Sequence, residues 1–166
     1  MVGTLASTLI ALLLAVARVE PGTVHAVGRD GGLVYHVLIS PAALKRTPAW
    51  ADGQDPPLSP LKAILRADAK RAELVRDSAD YKWDLEKAAL RSALGGDRWY
   101  YEVTYFAHFQ GVASTGHPPF LKLIVLMDGT VPDPAVWTRQ KWMRAMEAGA
   151  FDPHLLRANP KAKAKD

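Results

Sequence analysis

Residues 98–109 read Arg-Trp-Tyr-Tyr-Glu-Val-Thr-Tyr-Phe-Ala-His-Phe, the strongest strand signal in the sequence. Its aromatic and β-branched residues favour a long strand, in which successive side chains point to opposite faces. One face is expected to form core: Trp99, Tyr101, Val103, Tyr105 and Phe109. The other face carries Tyr100, Phe106 and His108 beside Glu102 and Thr104. The stretch therefore predicts a strand with two aromatic faces.

Two further strands are expected to flank this one, at residues 83–94 and 120–127. If Gly96-Asp97 form the turn, Leu90 lies opposite Val103, and Arg91 forms a favourable cross-strand pair with Glu102. Residues 120–127 are apolar at nearly every position, which is typical of a central strand covered on both faces.

A helix is predicted from Ser59 to about Val75. Ser59 suits the N-cap because its hydroxyl accepts a backbone hydrogen bond, and Pro60 suits the first helical position. A period of 3.6 residues places one set of side chains toward the sheet. This set is Leu61, Ile64, Leu65, Asp68, Ala72 and Val75. The basic residues on the rest of the helix are interpreted as a solvated face.

An N-terminal β-hairpin is predicted in residues 23–39, with Asp30-Gly31 as its two-residue turn. That register sets His25 opposite His36 and Val27 opposite Val34. His25 and His36 are the candidate metal ligands, but a structural metal site needs a third or fourth ligand. We therefore predict no metal site and no cofactor. A turn at Gly31-Gly32 would break the histidine pairing.

Order along the chain suggests one domain with flexible ends. Residues 40–58 hold four prolines, which are expected to block helix and central strand alike. A helix is predicted at 135–148, followed by a basic tail. The segments are a signal peptide (1–17), the hairpin (18–39), a proline-rich linker (40–58), the helix and three-stranded meander (59–131), a helical extension (132–157) and a disordered tail (158–166).

The part from 59 to 131 resembles the PepSY-like and cystatin-like α+β modules of exported bacterial proteins. The resemblance lies in Pro60-Leu61-Lys62-Ala63-Ile64, Trp83-Asp84-Leu85, Arg98-Trp99-Tyr100-Tyr101-Glu102-Val103-Thr104 and Val125-Leu126-Met127-Asp128-Gly129-Thr130-Val131. It covers under half of the chain and implies a fold and an export habit, without catalytic residues. The predicted fold class is α+β: a curved antiparallel sheet with one helix packed on it and an N-terminal hairpin.

Export is also suggested by the first seventeen residues. An uncharged run at 5–16 is too short to span a bilayer and ends in Ala15-Val16-Ala17, a small-x-small cleavage pattern. No Lys or Arg precedes it, so a retained short anchor and a buried core helix remain alternatives. We expect a secreted or periplasmic protein that touches the membrane only transiently, through this segment.

The composition and motif content of the chain exclude several kinds of functional site. The 166 residues are 49% hydrophobic and 23% charged, which is ordinary for a globular protein, with a net charge of +4. Absence of cysteine excludes disulfides, thiolate metal sites, cysteine nucleophiles and acylation as a lipoprotein. No nucleophile elbow, phosphate-cradling loop or dinucleotide fingerprint occurs. Nucleic acid is not an expected partner.

The function predicted from sequence is a non-enzymatic binding or scaffold module with a protein or peptide partner. Its candidate surface is Tyr100, Phe106, His108, Gln110 and Val112. Coverage of this face by the hairpin or the segment from Trp137 to Met146 is the competing interpretation. A cystatin-like protease inhibitor is the first alternative, because Gln110-Gly111-Val112-Ala113-Ser114 lies in a loop between strands, as the Gln-x-Val-x-Gly loop of cystatins does. Ser114 departs from the final glycine. An enzyme of unknown type is the second alternative.

Overall fold

A computed structural model describes residues 24–51, 53–110 and 118–147. Within them, an open antiparallel sheet has the strand order β3-β4-β5-β1-β2-β6. The strands are β1 (Val24–Asp30), β2 (Leu33–Ile39), β3 (Tyr81–Ala93), β4 (Arg98–Phe109), β5 (Phe120–Leu126) and β6 (Ala135–Thr138). The helices are α1 (Pro41–Lys45), α2 (Pro60–Leu74) and α3 (Arg139–Glu147). The predicted α+β class, with a helix on an antiparallel sheet and an N-terminal hairpin, is confirmed.

Helix α2 begins as predicted, because the Ser59 hydroxyl accepts a hydrogen bond from the amide of Lys62 at 3.4 Å. The predicted buried face is wrong at Leu61 and Leu65, whereas Val75 is buried as predicted. Ala63 and Ala67 are fully buried against the sheet, whereas Leu61 and Leu65 are 67% and 59% exposed. The helix is thus rotated by roughly one residue from the expected orientation.

Large side chains on the sheet explain this rotation. Tyr101 and Tyr105 rise from β4 into the same core cluster as Ala63 and Ala67, so small helix residues fit best there. The Tyr105 hydroxyl donates to Asp68 at 2.8 Å, and the Tyr101 hydroxyl donates to the Leu58 carbonyl at 3.0 Å. Phe109, also predicted as core, is 43% exposed because it ends the strand beyond the helix.

Strand β5 is covered on both faces, which confirms its predicted central position. Leu123 and Val125 face the α2 core, and Ile124 packs in a second cluster with Val37 and Leu44 from the hairpin and α1. Strand β1 comes very close to β5 at Gly28. A Cβ there would lie 3.0 Å from the Leu121 Cα atom, so only glycine fits without a shift.

The hairpin register differs from the predicted one by two residues. Gly31 and Gly32 form the turn with φ angles of 54° and 100°, which glycine adopts at little steric cost. Asp30 therefore stays in β1 opposite Leu33. His25 faces Leu38 and His36 faces Val27, so the predicted cross-strand histidine pair is wrong. A shift of two keeps every side chain on its predicted face.

From the turn to Lys87 the register between β3 and β4 also differs by two, and a bulge between Leu85 and Lys87 shifts it by one more residue beyond that point. The connection runs from Leu94 to Asp97, with positive φ at Leu94 and at both glycines, so it is longer than a two-residue turn. Leu90 therefore lies opposite Tyr101 rather than Val103. The side chains of Arg91 and Glu102 still approach to 3.6 Å, now as diagonal neighbours.

Two expectations about the connecting segments are wrong. Residues 40–58 were expected to lack helix, but α1 forms there because Pro41 occupies its first turn, where proline is tolerated. Residues 135–138 were expected to be helical, but they form β6 and pair with β2, with Trp137 opposite Val34. The bulky Val136-Trp137 pair favours strand, and β2 offers it a free edge.

The predicted signal peptide and disordered tail lie outside the described residues.

Candidate binding groove

The sheet face opposite α2 is covered only in part. Helix α3 lies over its β2 end, where the Trp142 ring packs edge-on against His36 with centroids 4.7 Å apart. The part of this face around Phe106 and Phe120 stays open, while Ile124 and Leu126 farther along β5 are buried in the second core cluster. Between the two lies a hollow of about 700 Å³, adjoined by a second of about 430 Å³. Both are lined by Arg29, Phe120, Lys122 and Trp142, so they form one continuous depression, which we call the groove.

Strand pairing arranges the floor of the groove in transverse rows. Thr104 of β4 is the Cα partner of Lys87 on β3 and of Lys122 on β5. In the next row, Phe106 is the partner of Phe120, and their ring centroids are 6.1 Å apart. Phe120 is in turn the partner of Arg29 on β1. A row of two cations and a hydroxyl thus lies beside an aromatic row.

The groove is rich in positive charge. Arg29, Lys87, Lys122 and Arg139 all line its larger hollow, where Asp30 is the acidic lining residue. Within the described part of the chain, none of these four cations forms an ion pair. Glu102, at the smaller hollow, is engaged by Arg91. The groove therefore has a net positive charge that residues 24–51, 53–110 and 118–147 do not neutralise.

Apolar side chains line the groove opposite this charge. Met143 of α3 is 49% exposed at its edge, and Trp142 beside it is 7% exposed. Phe106 and Phe120 are half-buried on the floor. A cleft with aromatic walls and a few placed polar groups is the usual form of a ligand site.

The two candidate metal ligands do come close, although not by the predicted pairing. The rings of His25 and His36 are 6.1 Å apart at their centroids and line the smaller hollow. Burial, followed by the nearby His25, lowers the pKa of His36 to about 4. Burial, followed by Lys122, lowers the pKa of His25, while Glu102 opposes this. Among residues 24–51, 53–110 and 118–147, no three His, Cys, Asp or Glu side chains gather as metal ligands.

The sequence-predicted binding surface is divided by the structure. Phe106 lines the groove. Tyr100 instead packs against the second core cluster beneath the hairpin, where burial raises its pKa. His108 and Gln110 are exposed but lie outside the lining of the groove, and Val112 falls outside the described residues. The face is therefore covered at one end and open at the other.

Sequence reasoning missed the cationic lining. Thr104 was placed on this face, but its neighbours on β3 and β5 depend on the strand registers. Lys87 and Lys122 are ordinary lysines in sequence. Correct registers for the β3–β4 and β4–β5 pairs would have placed Lys87 and Lys122 on either side of Thr104.

Comparison with known proteins found no matching family model, no matching curated protein and no matching solved structure. The PepSY-like and cystatin-like resemblance accordingly stays a prediction. Within the described ranges, no helix is both long and apolar enough to cross a membrane.

Proposed function

We propose that this protein is a non-enzymatic binding module that holds a peptide segment of another protein in the groove. The observation that carries the proposal is an open cleft with aromatic floor residues and four cations without carboxylate partners among the described residues. The half-buried Phe106 and Phe120 supply anchor contacts. Buried aromatic pockets of this kind contribute most of the free energy in peptide and protein recognition.

Selection of random peptides displayed on phage against the full chain tests this proposal. We expect enriched peptides to lose about tenfold in affinity for the variants Phe120→Ser and Met143→Ser, since each removes an apolar contact in the groove. Leu65→Ser is the matched control, because Leu65 is also a largely exposed apolar residue on a helix, but on the opposite side of the sheet. Urea unfolding of each variant checks that it folds.

Two results would contradict the proposal. The first is that no peptide is enriched over a control selection without protein. The second is that enriched peptides bind the groove variants and Leu65→Ser equally well, which would place the site elsewhere.

Export to the cell envelope or the medium is the second part of the proposed function, and it rests on the sequence of residues 1–17. Intact mass of protein recovered from an expressing cell tests it directly. A mass beginning at Arg18 supports export with cleavage, and a full-length mass in the membrane fraction supports a retained anchor. Full-length protein in the cytosol would contradict export.

Cystatin-like inhibition remains the alternative function, and it depends on the loop after Gln110, most of which lies outside the described residues. Adding purified protein to papain tests it. Absence of inhibition at micromolar protein would remove this alternative.

A further inference from the structure

We propose that the peptide bound in the groove carries a carboxylate held between Lys87 and Lys122 over the Thr104 hydroxyl, and an apolar side chain two residues away that packs on Phe106 and Phe120. This inference rests on the proposed peptide-binding function and specifies its ligand.

The hydroxyl of Thr104 is an unusual group to bury. Thr104 is only 2% exposed, and its Oγ1 atom has no hydrogen-bond partner among the described residues. A buried hydroxyl without a partner lowers stability, because it loses its bonds to water. Thr104 lines the groove, although its Oγ1 atom is closed to solvent in the free protein, so a ligand oxygen would accept a hydrogen bond from it once the side chain turns toward the groove.

The lysines on either side of Thr104 favour an anion as that ligand. Neighbouring strands lie about 4.8 Å apart, so the two lysine Cα atoms are roughly 10 Å apart, with Thr104 between them. Both side chains are long enough to converge on one oxyanion above the hydroxyl. Lys82, elsewhere on β3, contacts Asp84 at 3.3 Å, whereas Lys87 and Lys122 have no carboxylate within ion-pair distance in the described chain. Charge-assisted hydrogen bonds from two ammonium groups would hold a carboxylate firmly.

The distance between the rows sets the spacing in the ligand. Thr104 and Phe106 are two residues apart on β4, which corresponds to about 6.6 Å along a strand. In an extended peptide, side chains at positions i and i+2 point the same way and are separated by the same distance. An acidic residue followed two positions later by an apolar residue therefore matches both rows at once. Arg29, beside Phe120, and Arg139 add positive charge at the aromatic end.

Three synthetic peptides test this specificity by amide NMR titration of the isotope-labelled full chain. The probe is acetyl-Gly-Glu-Ser-Phe-Gly-amide. The second peptide replaces its glutamate by glutamine, and the third exchanges serine and phenylalanine so that the two anchors point to opposite sides. We expect the probe to shift the amides of Thr104, Phe106 and Lys122, and to bind about tenfold more tightly than either comparison peptide.

Variants of the row formed by Lys87, Thr104 and Lys122 provide a second test. Lys87→Gln and Lys122→Gln should each reduce the preference for the glutamate peptide over the glutamine peptide, while Lys62→Gln, an exposed lysine on α2, should leave it unchanged. Thr104→Val should weaken binding of the glutamate peptide and raise the urea midpoint, because it removes the unpaired hydroxyl. A merely structural threonine would not show these opposite effects.

The outcomes separate this inference from the proposed function. Equal affinity for the glutamate and glutamine peptides, or for the two orders of residues, overturns the inference, as does an absence of shifts at millimolar probe. The proposed function survives each of these if display-selected peptides still depend on Phe120 and Met143. Tighter binding of sodium dodecanoate or inorganic phosphate than of the probe would show that the ligand is not a peptide carboxylate, and would overturn the inference.

Discussion

Replacing Ala67 by leucine tests which face of α2 meets the sheet. Ala67 is fully buried beside Tyr101 and Tyr105, so three added carbon atoms have no free space. Overpacking of this kind costs about 1–3 kcal/mol. Leu65 is 59% exposed, so less than half of its side chain is shielded from water. Leu65→Ala should therefore cost less than about 1 kcal/mol, and the higher helix propensity of alanine offsets part of this.

The orientation of α2 expected from sequence periodicity predicts the reverse, with Leu65→Ala costing more stability than Ala67→Leu. If Leu65 faced the core, its truncation would cost about 2–5 kcal/mol, and Ala67→Leu would be nearly neutral. Ala69→Leu is the matched control, because Ala69 is exposed on the same helix and gains the same atoms.

Urea unfolding followed by tryptophan fluorescence measures these differences, with the midpoints compared at a common slope. The reasoning predicts a lower midpoint for Ala67→Leu and nearly unchanged midpoints for Leu65→Ala and Ala69→Leu. A loss above about 2 kcal/mol in Leu65→Ala, together with tolerance of Ala67→Leu, would refute the orientation of α2 described above.

Three further changes test other contacts in the fold. Because burial lowers the pKa of His36 to about 4, the unfolded chain takes up a proton first as the pH falls below about 6.5. Stability should therefore decrease between about pH 6.5 and 4, by up to about 3 kcal/mol, and His36→Phe should flatten this dependence in urea midpoints. Gly28→Ala should cost about 1–3 kcal/mol, since its Cβ would meet the backbone of Leu121; an unchanged melting temperature would contradict the close β1–β5 approach. Tyr105→Phe should cost about 1–2 kcal/mol by removing the hydrogen bond to Asp68, and a double-mutant cycle with Asp68→Asn should show coupling between the two.

Local sequence signals predicted α2 and the strands β1 to β5, but not α1 or β6. Strand β4 has the predicted bounds, Ser59 caps α2, and β5 is buried on both faces. These features depend on residue types within one segment, such as an aromatic run or a serine before a proline. The orientation of α2 could not be predicted from periodicity. The pattern shows which residues are apolar, but it does not show how much space the tyrosines of β4 leave between the sheet and the helix.

Features that depend on distant segments could not be predicted. Both hairpin registers differ by two residues, since consecutive glycines allow more than one turn. Near the turns each error kept the faces correct and changed only the neighbours, so Phe106 was found in the candidate surface but Lys87 was not matched with Thr104. Beyond the bulge at Leu85/Lys87 the pairing is offset by one more residue, and no register had been predicted between β4 and β5 that would place Lys122. Strand β6 needed the free edge of β2, about a hundred residues earlier in the chain.

Sheet order also governs when the protein can finish folding. Strands β1 and β2 come first in the chain, but their outer neighbours are β5 and β6. The pairing of Arg29 with Phe120 and of Val34 with Trp137 can therefore form only after these late strands have been synthesised. Contacts between such distant residues form slowly because a long loop must close before they are gained. During synthesis the early hairpin stays unpaired on both edges until the last strands emerge. A chain stalled before β5 therefore leaves both edges of the early hairpin unpaired, and unpaired strand edges favour aggregation.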